Sequence, residues 1–249
     1  MKLLLASLAA AGLVLSPERD ERTSPTMTGA DGQLLARGEQ EQTVEGDALE
    51  LRVRWDFLDG RVVSERSTFL LRPRLEQNTW LWEERQGGSI RRRFEVDFGT
   101  GKATAYKLER GGPHRWSEHL SLAPGTTFAG SGIVFVLKGV RARLVRGEGV
   151  TVMAVGMTPR PRVVPLDIRW RGLERIGQDG RTWEADHFTV HPDVGLLVEL
   201  FVHVPDGDFW LTREQPPDLL RAEYPLLEPD DPVVRAETHL DPARDAAPR

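Results

Sequence analysis

Apolar and charged residues alternate one by one along much of the chain. The clearest run covers residues 49–57, where Leu49, Leu51, Val53, Trp55 and Phe57 are separated by single charged residues. Successive side chains of a β-strand point to opposite faces, so these five residues would share one face. The pattern therefore predicts a strand with one buried and one solvated face.

The same alternation returns after short turn signals as far as residue 213. Asp59-Gly60, Gly87-Gly88 and Asp179-Gly180 are typical of tight turns between antiparallel strands. Regularly spaced short strands favour an antiparallel meander over βαβ units. A long twisted sheet of this kind tends to curl. We therefore predict a mainly β fold: a single curved antiparallel sheet, a half-barrel meander of about ten strands.

One segment, residues 127–142, interrupts the alternation. Apolar residues there recur at spacings of three and four, as on one face of a helix, although Gly130, Gly132 and Gly139 oppose helix formation. We predict a helix or a turn followed by a helix that lies across the sheet. It either fills the concave face of the sheet or leaves a cleft beside it.

The two ends of the chain have a different composition. Residues 3–15 are uncharged and follow Lys2, a pattern typical of a secretory signal peptide, and as a helix they would span only ~20 Å of a ~30 Å hydrocarbon core. We predict a signal peptide within residues 1–20, a flexible lead-in over 21–46, a β half-barrel domain over 47–228 and an acidic disordered tail over 229–249. The protein would then be periplasmic or secreted; the alternative is a cytoplasmic protein whose first helix packs on the core.

Composition narrows the possible functions. The net charge is −5, from 33 basic and 38 acidic residues, which argues against broad binding to nucleic acid. The chain has no cysteine, which excludes disulfides, thiolate zinc sites and a cysteine nucleophile. We expect a monomer without a membrane span or nucleic-acid partner.

Histidines supply the candidate chemistry. His187 and His191 are four residues apart, and in a strand this spacing separates them by ~13 Å, too far to share one zinc ion. His114 and Glu118 would share one strand face, where a carboxylate could tune a histidine for acid–base work. The sequence places no complete set of catalytic partners around His114 or His187. We predict no catalytic residues, no metal and no cofactor.

The seven tryptophans are the most suggestive feature, and most of them occupy alternating strand positions. Such residues pack in a core or line an apolar ligand cleft. The residues predicted to line the concave apolar face and bind ligand are Trp55, Trp80, Trp82, Phe94, Trp170 and Trp210.

Three stretches together resemble a known family: residues 135–148, residues 172–180, and residues 208–224 with their Pro216-Pro217 step. The arrangement resembles a bacterial family of exported proteins of unknown function built on a curved antiparallel sheet. That family is similar in architecture to the periplasmic lipoprotein-carrier (lipoprotein localisation factor) half-barrels. The resemblance implies a concave apolar face that could hold an acyl chain, and it implies no catalytic residues.

These patterns favour a non-enzymatic protein of the periplasm or cell envelope. Its partner would be a hydrophobic small molecule or lipid bound in the concave face, or another envelope protein. One alternative is a structural or protein-interaction module whose cavity is filled by its own helix. A further alternative is a hydrolase that uses His114 or His187 with nearby carboxylates.

Overall fold

The computed structural model describes residues 13, 15, 18–157, 160–193 and 205–240. Within these ranges the chain forms sixteen strands and one helix. None of the described helical residues forms a helix long and apolar enough to cross a membrane. The strands are β1 (Glu21–Thr23), β2 (Thr26–Gly29), β3 (Leu34–Glu45), β4 (Ala48–Phe57), β5 (Arg61–Leu70), β6 (Glu76–Gln86), β7 (Ser89–Asp97), β8 (Lys102–Glu109), β9 (Gly112–His119), β10 (Thr127–Phe128), β11 (Val150–Met157), β12 (Pro161–Gln178), β13 (Arg181–Pro192), β14 (Gly207–Thr212), β15 (Leu219–Pro225) and β16 (Val233–Glu237), and the helix is α1 (Gly132–Val145).

All sixteen strands belong to one curved sheet made of two meanders. The first meander runs from β2 to β9 and the second from β11 to β16, each with antiparallel neighbours. Strand β16 pairs antiparallel with β2, with Ala236 opposite Met27, so the last described strand joins the two meanders. The strand order ends at β10 on one side and at β9 on the other, and β1 pairs with β3.

Helix α1 connects two parallel strands. Strand β10 pairs in parallel with β11, and parallel neighbours need a crossover connection, which α1 provides. The helix lies in the concavity of the sheet, and its ring contact with β5, Phe69 to Phe135, has a centroid distance of 4.9 Å. The large side chains of α1 in the core are Phe135, Val136, Leu137, Val140 and Leu144. The predicted helical insertion is therefore confirmed, with bounds a few residues later than expected.

The predicted fold class is confirmed in outline: the protein is mainly β, with one large curved sheet and one helix among the described residues. The number of strands was wrong, because the described residues form sixteen rather than about ten. The extra strands lie largely outside the predicted domain. Residues 21–46, expected to be a flexible lead-in, form β1, β2 and β3, and the expected disordered tail contains β16.

The composition of β3 explains why it did not look like a strand. Its buried positions carry small or polar residues, such as Ala36, Gly38 and Gln42, in place of large apolar ones. Gly38 is needed because the ring of Trp55 on β4 covers it, and a Cβ at Gly38 would lie 2.7 Å from that ring. The large apolar side chains of this part of the core come from the partner strand, β4. The sequence of β3 itself therefore does not show the alternating pattern of a strand.

The predicted signal peptide lies almost entirely outside the described residues and stays a prediction. Five of its residues are described, namely 13, 15 and 18–20, and two of these are leucines of the apolar run. Leu13 is buried, its carbonyl accepts a hydrogen bond from the Leu75 N–H at 2.8 Å, and its side chain lies beside Gly139 of α1. Leu15 also packs against the core. Residues 241–249 of the predicted tail are outside the described residues.

Candidate ligand-binding cavity

A cavity of about 350 Å³ lies between α1 and the inner face of the sheet. This volume is at the lower end of the range of small-molecule sites, roughly 300–1,000 Å³. Strands of both meanders and the first turns of α1 supply its walls. Its aromatic lining consists of Trp55, Trp80, Trp82, Phe135, Phe209 and Tyr224.

Three of the predicted ligand-contacting residues form one wall of this cavity. Trp55 on β4, and Trp80 and Trp82 on β6, all line it and are at most 7% exposed. Their even spacing puts them on the inner face, and the register places Trp82 opposite Glu65 of β5. Alternation in the sequence was therefore sufficient to place these three side chains.

The other three predicted residues lie elsewhere. Phe94 is buried beside Trp82, with ring centroids 5.7 Å apart, and is not among the residues that line the cavity. The indole N–H of Trp170 donates to Asp186 at 3.1 Å, beside α1. Trp210 follows Phe209, which lines the cavity, so Trp210 points to the opposite face of β14. The prediction that Trp210 lies on the concave face was wrong, because in β14 the odd-numbered Phe209 faces inward and the even-numbered Trp210 faces outward.

Glu65 is the central polar group of the cavity. Its Oε1 accepts three hydrogen bonds: from the Trp80 indole at 2.8 Å, from the Ser131 backbone N–H at 2.7 Å and from the Ser131 hydroxyl at 2.8 Å. Ser131 is the N-cap of α1, so this carboxyl group of β5 anchors the start of the helix. Its Oε2 is open to the cavity and makes no hydrogen bond to a described residue.

Burial makes Glu65 easier to protonate than an ordinary carboxyl group. Burial is the largest influence and raises the pKa of this carboxyl above its ordinary value, while the hydrogen bonds from Ser131 and Trp80 act in the opposite direction. A neutral carboxyl that accepts through Oε1 carries its proton on Oε2. It can then donate one hydrogen bond from that oxygen.

Gly130 allows this close arrangement. Its φ is +53°, and a Cβ there would lie 2.1 Å from Nε1 of Trp80 and 2.3 Å from Oε1 of Glu65. Only glycine takes this backbone conformation and leaves room for the Trp80–Glu65 hydrogen bond. The glycine that weakened the helix prediction therefore lies just before the helix and shapes the site.

Tyr224 of β15 is the second polar group that projects into the cavity. Its ring lies parallel to that of Phe209, with centroids 6.2 Å apart. Burial, and then the charge of the Glu65 carboxylate, raise the pKa of the phenol. Its hydroxyl makes no hydrogen bond to any residue in the part of the chain that the structure describes. Glu65 and Tyr224 thus line the same cavity from opposite meanders.

Lys138 of α1 lines another part of the cavity but is already paired. Its ammonium group lies 3.0 Å from Glu18, and both side chains are almost fully buried. The side chain of Gln42 donates to the same carboxylate at 3.3 Å. This lysine is therefore neutralised by the protein itself.

A buried ionic network closes another side of the cavity. Arg92 of β7 contacts Glu84 at 2.6 Å, Glu228 at 3.1 Å and Asp231 at 2.9 Å. Lys107 of β8 also pairs with Glu228. Glu228 and Asp231 belong to the connection between β15 and β16, whose residues 226, 227 and 229 line the cavity. Nearby carboxylates raise the pKa of the Arg92 guanidinium, although its burial acts in the opposite direction.

The histidines lie away from the cavity. His187 stacks on Trp210 with a centroid distance of 4.3 Å, and its two ring nitrogens lie 2.7 Å from Glu174 and 2.8 Å from Asp208. His191 contacts Asp206. Within the described ranges, no group of three or more His, Asp or Glu side chains is placed to hold a metal ion.

His114 is a surface residue in this fold. It lies 3.7 Å from Glu109 and stacks on Trp116, with 47% of its side chain exposed. Its closest carboxylate is therefore not the Glu118 expected from the strand alternation.

Sequence reasoning missed Glu65 and Tyr224. The signal for Glu65 was present, since Val63, Glu65, Ser67 and Phe69 occupy successive inward positions of β5 and place a charged residue in a buried row. Tyr224 lies beyond the last alternating segment of the sequence, which ends at residue 213. Its position depends on the pairing of β15 with β16 and of β16 with β2, which no local pattern displays.

Comparison with known proteins identifies the architecture. No family model matches the chain, and no curated protein matches it. Its structure is similar to a crystal structure described as a beta-barrel-like protein of domain of unknown function DUF1849 from Brucella abortus, with a TM-score of 0.51 and 14% sequence identity over 91% of this chain and 97% of that chain. At this identity the likeness shows the fold alone, a β-barrel-like protein of unknown function. It gives no support to a resemblance to the lipoprotein-carrier half-barrels, which stays a prediction.

Proposed function

We propose that this protein is a non-enzymatic protein of the cell envelope that binds a hydrophobic ligand, a lipid or acyl group, between α1 and the sheet. The observation that carries the proposal is the cavity of about 350 Å³ walled by Trp55, Trp80 and Trp82. A predominantly apolar concavity with a few polar groups is typical of small-molecule sites. Location in the periplasm or outside the cell is part of the proposal and rests on the signal-peptide pattern of the first 15 residues.

The cavity favours ligand binding over a module that fills itself. Helix α1 packs five large apolar side chains into the concave face, which is how such a module would be built. Yet the space next to Ile133, Val134 and Phe135 of the first turns is still open. Protein interiors are close-packed, so a space of this size in a core with no use for it would reduce stability.

The arrangement of the histidines supports a binding role over hydrolysis. Both ring nitrogens of His187 are engaged by carboxylates, so neither is left to accept a proton from a substrate or water. The cavity lining includes the carboxyl group of Glu65 and the phenol of Tyr224, which suit orientation of a ligand.

The proposal is tested with N-phenyl-1-naphthylamine, an uncharged apolar fluorophore, added to the purified protein. Binding should brighten the dye and draw energy from the tryptophans of the cavity wall. Ala154→Phe would fill part of the cavity from β11, and Thr151→Phe is the control on the exposed face of the same strand. We expect the first variant to weaken dye binding about tenfold or more and the second to leave it within about twofold.

Circular dichroism of both variants checks that they remain folded. Native mass spectrometry of the wild-type protein gives an independent measurement, since a bound lipid would appear as added mass. If the wild-type protein carries no lipid and binds no dye, ligand binding is wrong and the self-filled module is favoured. Equal weakening by both variants would place the dye outside the cavity and overturn the proposal as well.

A further inference from the structure

Two hydrogen-bonding atoms that line the cavity from opposite meanders have no partner among the described residues. They are Oε2 of Glu65 and the hydroxyl of Tyr224; both are open to the cavity, and neither makes a hydrogen bond to a described residue. Both residues line the same cavity, one from each meander. Polar groups in a largely apolar site cost free energy unless they are hydrogen-bonded, so an occupant that bonds to both would be stabilised.

The charges around the cavity decide which kind of occupant fits. Among the described residues that line it, three are acidic, Glu21, Glu65 and Asp218, and one is cationic, Lys138. Lys138 is paired with Glu18 at 3.0 Å and is therefore not available to a ligand. Asp218 is likewise paired, with Arg19 at 3.4 Å, so what decides is the cation: the charge of an anionic head group would find no free cation among the described residues that line the cavity.

From this geometry we propose that the ligand is an uncharged apolar molecule with a hydrogen-bond-accepting oxygen, such as the carbonyl of an acyl ester, held by the Tyr224 hydroxyl and the Glu65 carboxyl group. This inference rests on the proposed function and names its ligand class. The hydroxyl of Tyr224 donates to the ligand oxygen. The carboxyl of Glu65 does the same through Oε2, while Oε1 keeps its three donors from Trp80 and Ser131.

The role requires the protonated form of Glu65, and burial shifts the group toward that form. Burial raises the pKa of Glu65, and no free cation lies beside it in the described structure to stabilise the carboxylate. A neutral carboxyl is a hydrogen-bond donor, whereas a carboxylate only accepts. The charges around the cavity also predict discrimination against a free fatty acid, because its carboxylate would find no free cation among the described residues that line the cavity.

The test compares four probes on the full chain near neutral pH. Methyl octanoate supplies a neutral carbonyl, octanoate supplies an anion, octylammonium supplies a cation and n-hexane supplies no polar atom. Affinities are measured by displacement of N-phenyl-1-naphthylamine. We expect methyl octanoate to bind about tenfold or more tightly than octanoate, since an unpaired charge in a desolvated site is costly.

Two variants assign the contacts. Tyr224→Phe removes one donor and should weaken methyl octanoate about 2- to 10-fold while leaving n-hexane unchanged. Tyr106→Phe on β8 is the matched control, because these are the two tyrosines of the chain and Tyr106 does not line the cavity. Glu65→Gln keeps an acceptor for Trp80 and Ser131 and a donor toward the cavity, so it should keep ester binding within about threefold.

The outcomes separate this inference from the proposed function. If neither n-hexane nor methyl octanoate displaces the dye, both fail. If n-hexane binds and the affinity of methyl octanoate per carbon atom is no higher than that of n-hexane, only the inference on ligand class is overturned. Tightest binding of octanoate or of octylammonium would also overturn it, the latter because it requires an ionised Glu65. The comparison of probes on the wild-type protein stands even if Tyr224→Phe does not fold.

Discussion

The indole N–H of Trp80 donates a hydrogen bond of 2.8 Å to Oε1 of Glu65, and this contact joins the wall of the cavity to the start of its helix. Glu65 also accepts from the backbone and hydroxyl of Ser131, the N-cap of α1. One carboxyl group therefore links β5, β6 and α1. A helix N-terminus has unpaired N–H groups, so a buried acceptor at this point fixes where the helix begins.

Gly130→Ala should destabilise the protein by disturbing this contact. The new Cβ would lie 2.1 Å from Trp80 Nε1 and 2.3 Å from Glu65 Oε1, in addition to the strain of a positive φ. We expect a loss of more than about 1 kcal/mol in the free energy of unfolding, measured by urea denaturation.

Gly46→Ala is the matched control for that change. Its φ of +61° is close to that of Gly130, but a Cβ there meets nothing within 4 Å. Its cost contains the backbone strain alone, so the difference between the two variants measures the disturbance of Trp80 and Glu65. Equal losses in the two variants would show that the hydrogen bond contributes no stability.

Glu65→Gln should change how stability depends on pH. Burial raises the pKa of Glu65 in the folded protein above its ordinary value of 4.5. Between these two pKa values the folded state keeps a proton that the unfolded state releases, so the free energy of unfolding of the wild-type protein falls as pH rises. Its contribution is fully present below pH 4.5 and is lost as pH rises through the raised pKa.

The measurement is a series of urea denaturation curves from pH 4.5 upward. Relative to the wild type, Glu65→Gln should gain stability with increasing pH, because the amide has no proton to lose. Glu39→Gln, at an exposed position of β3, should follow the wild-type curve. The titratable and charged residues lining the cavity around Glu65 are Glu21, Lys138, Asp218 and Tyr224, and they are identical in all three proteins. Parallel curves for the wild type and Glu65→Gln would contradict the assigned shift.

Local alternation predicted the part of the fold in which large apolar residues occupy every inward position. Residues 49–57 of β4 are the best example, with Trp55 and Phe57 buried as expected. The same reasoning failed for β3, whose inward Ala36 and Gly38 lie opposite the much larger Phe57 and Trp55 of β4. A strand whose apolar contacts come from its neighbour cannot be recognised from its own sequence.

The candidate site was predictable to the same limited extent. The spacing of Trp80 and Trp82 places both on one face, and they form a wall of the cavity. The cavity as a whole depends on long-range pairing, because Tyr224 reaches it only after β16 joins β2. The space beside α1 depends on how far the helix enters the concavity. The hydrogen bond from Ser131 to Glu65 anchors the helix there, and it joins residues 66 positions apart.

Phe135→Ala should enlarge the cavity at the expense of stability. Phe135 is 2% exposed, lines the cavity from α1 and contacts Phe69 with a centroid distance of 4.9 Å. Removal of a buried phenylalanine ring costs about 3–5 kcal/mol. We expect that loss by urea denaturation, together with tighter binding of a bulkier apolar dye than the wild-type protein accepts. Val145→Ala, near the exposed end of the same helix, should change both values little, and unchanged dye selectivity in Phe135→Ala would indicate that the enlarged space collapses.

Arg92→Met should release the connection between β15 and β16 from the side of the cavity. Without the guanidinium, Glu84, Glu228 and Asp231 keep their buried charges and lose a common partner. Removal of one member of a buried ionic network costs about 3–5 kcal/mol, whereas Arg91→Met at the neighbouring exposed position should cost within about 0.5 kcal/mol. Because residues 226, 227 and 229 line the cavity, the release should also speed dissociation of N-phenyl-1-naphthylamine, measured by stopped-flow fluorescence. If the dye dissociates faster from Arg92→Met than from Arg91→Met, the connection between β15 and β16 helps to retain the ligand. Equal dissociation rates in the two variants would show that it does not.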